Sequence, residues 1–228
     1  MASAVIFGGG VGSRMKAPVP KQFMEINGKP LICWTIDKFE NNSNIQSIVL
    51  VVGEKYINLT NKLVSEWGYK KITAIVSGGK TGQESIRQGL MALRNIKPID
   101  ELVFIHDAVR PVIGNELIDR CYETARLKGN AVAAVPAFET VAVCDDQKNV
   151  ELITDRSRTW ILRAPQVFKL GELLKNHEIS ERRNSQFIDS AGMMMAYGES
   201  LNIVECERTN IKVTFPMDQL VINSLLQE

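Results

Sequence analysis

The residues best able to do chemistry cluster near the start of the chain, in Gly8-Gly9-Gly10-Val11-Gly12-Ser13-Arg14, followed by Pro18, Pro20 and Lys21. Glycines let backbone N–H groups approach a ligand closely and point inward, which is how phosphates are cradled. Glycines alone could mark nothing more than a tight turn. A tight turn, however, needs no flanking cations, and this loop has Arg14 and Lys21. Both common phosphate loops are excluded. No Gly-Lys-Ser/Thr closes the stretch as a Walker loop requires, and the dinucleotide fingerprint would need glycine where Met15 stands. Glu54 also lies far beyond the roughly 20 residues at which that fingerprint places its ribose-reading acid.

A second candidate is His106-Asp107-Ala108-Val109-Arg110-Pro111. An aspartate at the carboxyl end of a strand can hold Mg²⁺, which uses one or two carboxylates and completes its shell with phosphate oxygens. Asp107 could instead cap a turn and pair with Arg110, since short polar turns are common. The nearby glycine loop tips the reading towards Mg²⁺ at Asp107. His106 reads as a structural strand-end residue and His177, on a polar helix, as solvated.

These groups need a scaffold. The 228 residues suffice for one large domain, and 45% hydrophobic with 23% charged residues is ordinary for a globular protein with a full core. Short apolar runs predict strands at 3–8, 47–53, 72–77, 101–106 and 131–136. Amphipathic segments predict helices at 30–41, 56–67, 84–95 and 115–128. Such alternation implies a largely parallel sheet covered on both faces. Ligands then bind in the loops beyond the carboxyl ends of the strands. After Pro136 the alternation stops, and 140–144 with 150–154 around Asp145-Asp146-Gln147-Lys148-Asn149 signals a hairpin. The tail predicts a helix at 170–177, a short helix capped by Asp189, strands at 201–206 and 211–214, and a last helix at 217–226. Met193–Met195 reads as core.

A net charge of +1 gives no global field for nucleic acid or an anionic membrane. The apolar opening is short and lacks a basic lead-in, so no signal peptide is expected. Cys33, Cys121, Cys144 and Cys206 are widely spaced and read as reduced thiols, which suits the cytoplasm.

Taken in order, the motifs resemble those of the CTP-dependent cytidylyltransferases that act on methylerythritol phosphate or ribitol phosphate. They are Gly9-Gly10-x-Gly12-x-Arg14-Met15, Pro20-Lys21-Gln22-Phe23, Gly78-Gly79 with Ser85, and His106–Pro111. Thr140, Arg156, Pro165-Gln166-x-Phe168 and Asn210-Ile211-Lys212-Val213-Thr214 complete the series, which spans essentially the whole chain. The resemblance implies a Rossmann-like α/β fold of the nucleotide-diphospho-sugar transferase type, with a mostly parallel wound sheet and a projecting β-hairpin arm. It implies one domain over residues 1–228, with 137–156 as a dimerisation arm.

By the same resemblance, Gly8, Gly9, Gly10, Gly12, Gly78, Gly79 and Ser85 bind the nucleotide. Arg14, Lys21, Arg156 and Lys212 are catalytic. Asp107, Arg110, Thr140, Arg156 and Lys212 bind substrate, and Asp107 holds Mg²⁺ or another divalent cation. By composition alone Lys212 would be a surface lysine; the resemblance sends it to the reacting phosphates. Thr140 and Arg156 would reach into the neighbouring subunit's acceptor site, so the partners expected are CTP, a small polyol phosphate and a second copy of the chain. The implied reaction transfers CMP from CTP with release of pyrophosphate. The acceptor implied first is 2-C-methyl-D-erythritol 4-phosphate, with ribitol 5-phosphate or a related pentitol phosphate as the alternative. A catalytically inactive nucleotide-binding subunit is the reading from another class. Two departures touch the site: Gly82, where the family often has arginine, and Ala164, where it has threonine before Pro-Gln.

Overall fold

The computed structural model describes residues 1–8 and 20–227. Its centre is a seven-stranded sheet built from β1 (Ala2–Gly8), β4 (Ile45–Val52), β5 (Ile72–Ser77), β6 (Leu102–Asp107), β7 (Ala131–Pro136), β10 (Trp160–Lys169) and β11 (Ile203–Glu205). The order across the sheet is β11-β7-β10-β6-β1-β4-β5. Every neighbouring pair is parallel except the two made by β10, which runs antiparallel between β7 and β6.

Parallel strands buried on both faces need apolar residues in both side-chain directions, and β1 supplies them. Ala2, Ala4 and Ile6 enter one core and Val5 the other. The first core packs α1 (Leu31–Glu40), α2 (Ile57–Glu66) and α4 (Asn115–Lys128) on one face; the second packs α3 (Gly82–Arg94), α5 (Leu170–Arg182) and α6 (Ser190–Ala196) on the other. α3 lies especially close to the sheet. A Cβ on Gly89 would stand 2.5 Å from Val5 Cγ1 and 2.9 Å from Val51 Cγ2, so only glycine fits at that contact.

Two short hairpins complete the fold. β2 (Glu25–Ile26) pairs with β3 (Lys29–Pro30), and β8 (Ala142–Cys144) pairs with β9 (Val150–Ile153) as the arm. A final helix, α7 (Pro216–Leu225), buries Ile222 in a satellite core with Ile26, Leu31, Val109 and Val213.

The strands and helices expected up to Pro136 form within a few residues of their predicted limits, and so does the hairpin. Three expectations for the tail are corrected. Residues 211–214 form no strand; they run as irregular chain held by Val213 N to Val109 O at 3.0 Å. β10 was not expected. His177 is buried rather than solvated, because α5 continues to Arg182 and packs against both α3 and α6. Of the three methionines, Met193 and Met194 are core and Met195 is exposed. Asp189 does cap α6, accepting from Gly192 N at 2.8 Å.

Candidate active site

Strands β1 and β6 lie side by side in parallel register, so their carboxyl ends open at one place. They are stitched there by Ala108 N donating to Phe7 O at 2.9 Å. A Cβ on Gly8 would come within 2.9 Å of Ala108 Cβ. Gln22, itself buried, donates from Nε2 to Gly8 O at 2.6 Å and so ties the turn at Lys21–Phe23 to the end of β1. Gly9, Gly10, Gly12 and Arg14 lie outside the described residues.

The carboxylate of Asp107 is the hub. Its Oδ2 accepts from Arg110 Nε at 2.8 Å and its Oδ1 from Lys212 Nζ at 2.5 Å. Burial pushes the Asp107 pKa up, but Lys212 and Arg110 together outweigh that and leave it at about 2. It is therefore fully ionised at neutral pH. Lys21 joins from a third direction, donating from Nζ to Val213 O at 2.9 Å. Three stretches widely separated in sequence, carrying Lys21, Asp107 with Arg110, and Lys212, thus come together at the carboxyl end of β6.

His106 is not available as a proton carrier. Burial holds its pKa down at about 4, against smaller contrary effects from the Arg110 carbonyl and Asp107. Its Nε2 lies 3.1 Å from Arg110 O, which can only accept, so the neutral ring carries its proton there. This bond fixes the turn that aims Arg110 at Asp107.

The second glycine pair closes on the head of α3. Thr81 caps that helix by accepting from Glu84 N at 3.1 Å, and Ser85 Oγ accepts from Gly79 N at 3.2 Å. Lys80 N donates to Glu84 Oε2 at 2.7 Å. The place a Cβ would take on Gly82 lies 3.9 Å from the Phe7 ring, so Gly78–Ser85 borders the exit of β1. Glycine at 82 keeps that border open.

Thr140 and Arg156 are elsewhere. Both are exposed on or beside the arm, and among the described residues no hydrogen bond or ion pair links either to Asp107, Arg110 or Lys212. Three polar residues were not assigned roles from sequence, although two stand in the quoted motifs. Asn210 is buried and donates from Nδ2 to Ala164 O at 2.7 Å. Gln166 accepts from Ala191 N and donates to Asp189 Oδ2, each at 2.9 Å. Arg163 donates to two backbone carbonyls beside Asn210. Among the described residues no group of three or more His, Cys, Asp or Glu side chains could hold a metal ion.

Cations gathered on one ionised aspartate, beside glycine turns at strand ends, have the chemistry to meet phosphate groups. The family model described as 2-C-methyl-D-erythritol 4-phosphate cytidylyltransferase matches residues 2–228. The chain belongs to this family. Among curated relatives of this cytidylyltransferase, a Vibrio parahaemolyticus protein named ribitol-5-phosphate cytidylyltransferase is 38% identical over 228 residues, covering 99% of this chain and 96% of its own. A Lachnospira eligens protein named 2-C-methyl-D-erythritol 4-phosphate cytidylyltransferase is 31% identical over 230 residues and covers both chains completely. The solved structure of 4-diphosphocytidyl-2C-methyl-D-erythritol synthase from Anaerococcus prevotii superposes on this cytidylyltransferase with a TM-score of 0.87 at 26% identity, covering 100% of this chain and 96% of that one. The Francisella tularensis 2-C-methyl-D-erythritol 4-phosphate cytidylyltransferase superposes at 0.83 with 28% identity, covering 98% and 99%. The chain is thus a CTP-dependent nucleotidyltransferase with a Rossmann-like α/β fold.

Proposed function

We propose that this cytidylyltransferase joins CMP from CTP to the phosphate of ribitol 5-phosphate, releasing pyrophosphate. The observation that carries the site assignment is the pairing of Arg110 and Lys212 with Asp107, with Lys21 bonded to the carbonyl of Val213 next to Lys212. Ribitol 5-phosphate is preferred because four relatives bearing that name are 38–39% identical to the chain. Those named for 2-C-methyl-D-erythritol 4-phosphate are 30–32% identical. This reverses the order in which sequence alone ranked the two acceptors. The second reading, 2-C-methyl-D-erythritol 4-phosphate, is favoured by the family model's own description.

The chemistry suits the residues. A phosphate monoester is largely dianionic near neutral pH, its second pKa being about 6, so the attacking oxygen needs no base. Both histidines are buried, with pKa values held down at about 4, and neither serves as one. The barrier is repulsion between two anions plus charge growing on the departing pyrophosphate, and cations lower it by positioning and electrostatic stabilisation. Lys21, with Arg14, holds the triphosphate; Lys212 and Arg110 hold the reacting phosphates. In the ligand-free chain Lys21 and Lys212 rest on Val213 O and Asp107 and exchange those partners for phosphate oxygens.

Asp107 fits Mg²⁺ as the single hard carboxylate of an ion that arrives with its nucleotide, since Mg²⁺ takes one or two carboxylates alongside phosphate oxygens and water. When bound, the ion neutralises triphosphate charge. Gly78, Gly79, Ser85 and Gly8 take the nucleotide side, and the same role is proposed for Gly9, Gly10 and Gly12.

Thr140 and Arg156 complete the acceptor site of a second copy through the arm at 137–156. Val143, Val150, Leu152 and Ile153 on that arm are exposed apolar residues, which suits pairing with a second copy. A cytoplasmic location accords with four free cysteines; among the described residues no helix is long and apolar enough to cross a membrane.

Pyrophosphate release from CTP, measured with a panel of polyol phosphates, tests this function. Ribitol 5-phosphate should give the highest kcat/KM. A higher value with 2-C-methyl-D-erythritol 4-phosphate favours the second reading, and no release with any polyol phosphate refutes both.

A further inference from the structure

Lys212 stands on residues 206–215, which form neither helix nor strand. On such a segment neither a helix nor a sheet ladder holds the backbone, so the place of the ammonium depends on individual hydrogen bonds, with Val213 N on Val109 O fixing its C-terminal side. One side chain from a distant element grips two of them. Arg163 Nη1 donates to Arg208 O at 2.9 Å and to Asn210 O at 2.6 Å. Arg163 is on β10, where pairing with β7 shifts register between Leu162 and Gln166, so the chain there leaves the ladder. The link is reciprocated next door, with Asn210 Nδ2 donating to Ala164 O. Arg110 Nη1 reaches the same Asn210 carbonyl at 3.1 Å.

Charge makes the arrangement unusual. Arg163 is half-buried and makes no salt bridge with a carboxylate among the described residues. Burial works against its charged form, and the charge of Arg110 adds to that. A half-buried cation bonded to carbonyls and close to a second cation is a costly way to fold a surface segment. It makes sense where that segment must not drift. Both bonds leave the same nitrogen, whose direction is fixed by the rigid plane of the guanidinium, whereas a lysine ammonium sits on a flexible stem and holds no such direction.

We propose that Arg163 is a positioning residue for Lys212, clamping the carbonyls on its N-terminal side so that the ammonium is delivered to Asp107 and the reacting phosphates. This rests on the reading of Lys212 given under Proposed function. Arg163 touches no reacting atom; it acts through the backbone of residues 208–210.

The test is a double-mutant cycle on the full-length enzyme with Arg163→Met, Lys212→Ala and the pair, reading kcat, both KM values and Tm. Misplacement of a reacting group by about 1 Å can cost roughly 100-fold, so Arg163→Met should lower kcat by roughly 10- to 100-fold with CTP KM and Tm little changed. In the Lys212→Ala background the same change should cost less than about twofold, because the group it positions is gone. Arg163→Lys should fall between, keeping a cationic donor without the fixed plane that directs it; if Arg163→Met does not fold, the cycle is run with Arg163→Lys. Additive losses, or a kcat loss matched by a falling Tm, overturn the proposal. Near-wild-type turnover of Lys212→Ala alone sinks the assignment of Lys212 and this inference with it, whereas additivity sinks only this inference.

Discussion

Lys212 Nζ lies 2.5 Å from Asp107 Oδ1, a contact made across the topology, because Asp107 ends the central strand β6 and Lys212 follows the edge strand β11. With Arg110 on the other oxygen, one carboxylate organises two cations before any substrate arrives. Preorganisation of this kind is what makes electrostatic stabilisation of a transition state effective.

Removing either lysine should therefore damage turnover far more than folding. Lys21→Ala and Lys212→Ala are each expected to lower kcat by about 10²–10³-fold, or roughly 3–4 kcal/mol in the barrier. Circular dichroism should remain native. Steady-state pyrophosphate release decides it, and rates near wild type for both would refute the assignment.

Acid sensitivity should trace in part to His177. Burial, with Arg87 adding to it, holds its pKa at about 4 against 6.5 for a free histidine. Between pH 6.5 and 4 the unfolded chain takes up a proton that the folded chain refuses, so stability is full above 6.5 and declines as pH falls towards 4. A shift of this size is worth on the order of 3 kcal/mol. His177→Leu should flatten the decline, measured as urea midpoints at pH 7 and 4.5, while His106 keeps its own share. An unchanged slope would contradict this account.

Two glycines should separate fold from function. Gly89→Ala forces a methyl against Val5 and Val51 and should cost about 1–3 kcal/mol, as overpacking commonly does. Gly79→Ala instead collides with Glu84 at the head of α3. It should raise the KM for CTP severalfold, through a displaced loop, while Tm moves little. Calorimetry and CTP titrations distinguish the two effects. A lowered Tm for Gly79→Ala with unchanged CTP KM would remove Gly79 from the nucleotide side.

The arm supplies a further prediction. Glutamates at Leu152 and Ile153 place charge on its exposed apolar strand. Light scattering should then report a monomer, with turnover lost although Lys21, Asp107 and Lys212 are untouched. A monomeric wild type that is fully active would end the shared-site proposal.

Much of this could be read from sequence, and the exceptions have physical causes. β1, β4, β5, β6 and β7 are plain apolar runs, and α4 shows helical spacing with Leu117, Ile118, Cys121 and Ala125 all buried. β10 was hidden because Arg163 and Pro165 interrupt it, and proline argues against a central strand. The chain accommodates that proline by shifting register between Leu162 and Gln166. Residues 211–214 misled in the opposite sense, since apolar–polar alternation suggested a strand where single hydrogen bonds hold irregular chain. His177 misled because a polar helix was judged alone, without the two helices that cover it. In the site, charged residues stood out, whereas Gln22, Asn210 and Arg163 act on backbone carbonyls that no motif advertises.

The satellite core around Ile222 gathers pieces from both ends of the chain. Ile26 follows the turn carrying Lys21, Val109 belongs to the turn after Asp107, and Val213 adjoins Lys212. Asp218, in the first turn of α7, accepts from Thr214 N and Phe215 N at 2.8 Å and moors that last helix to the same spot. The turns that carry Lys21, Asp107 and Lys212 thus share one apolar anchor, so cutting back Ile222 would loosen all three together.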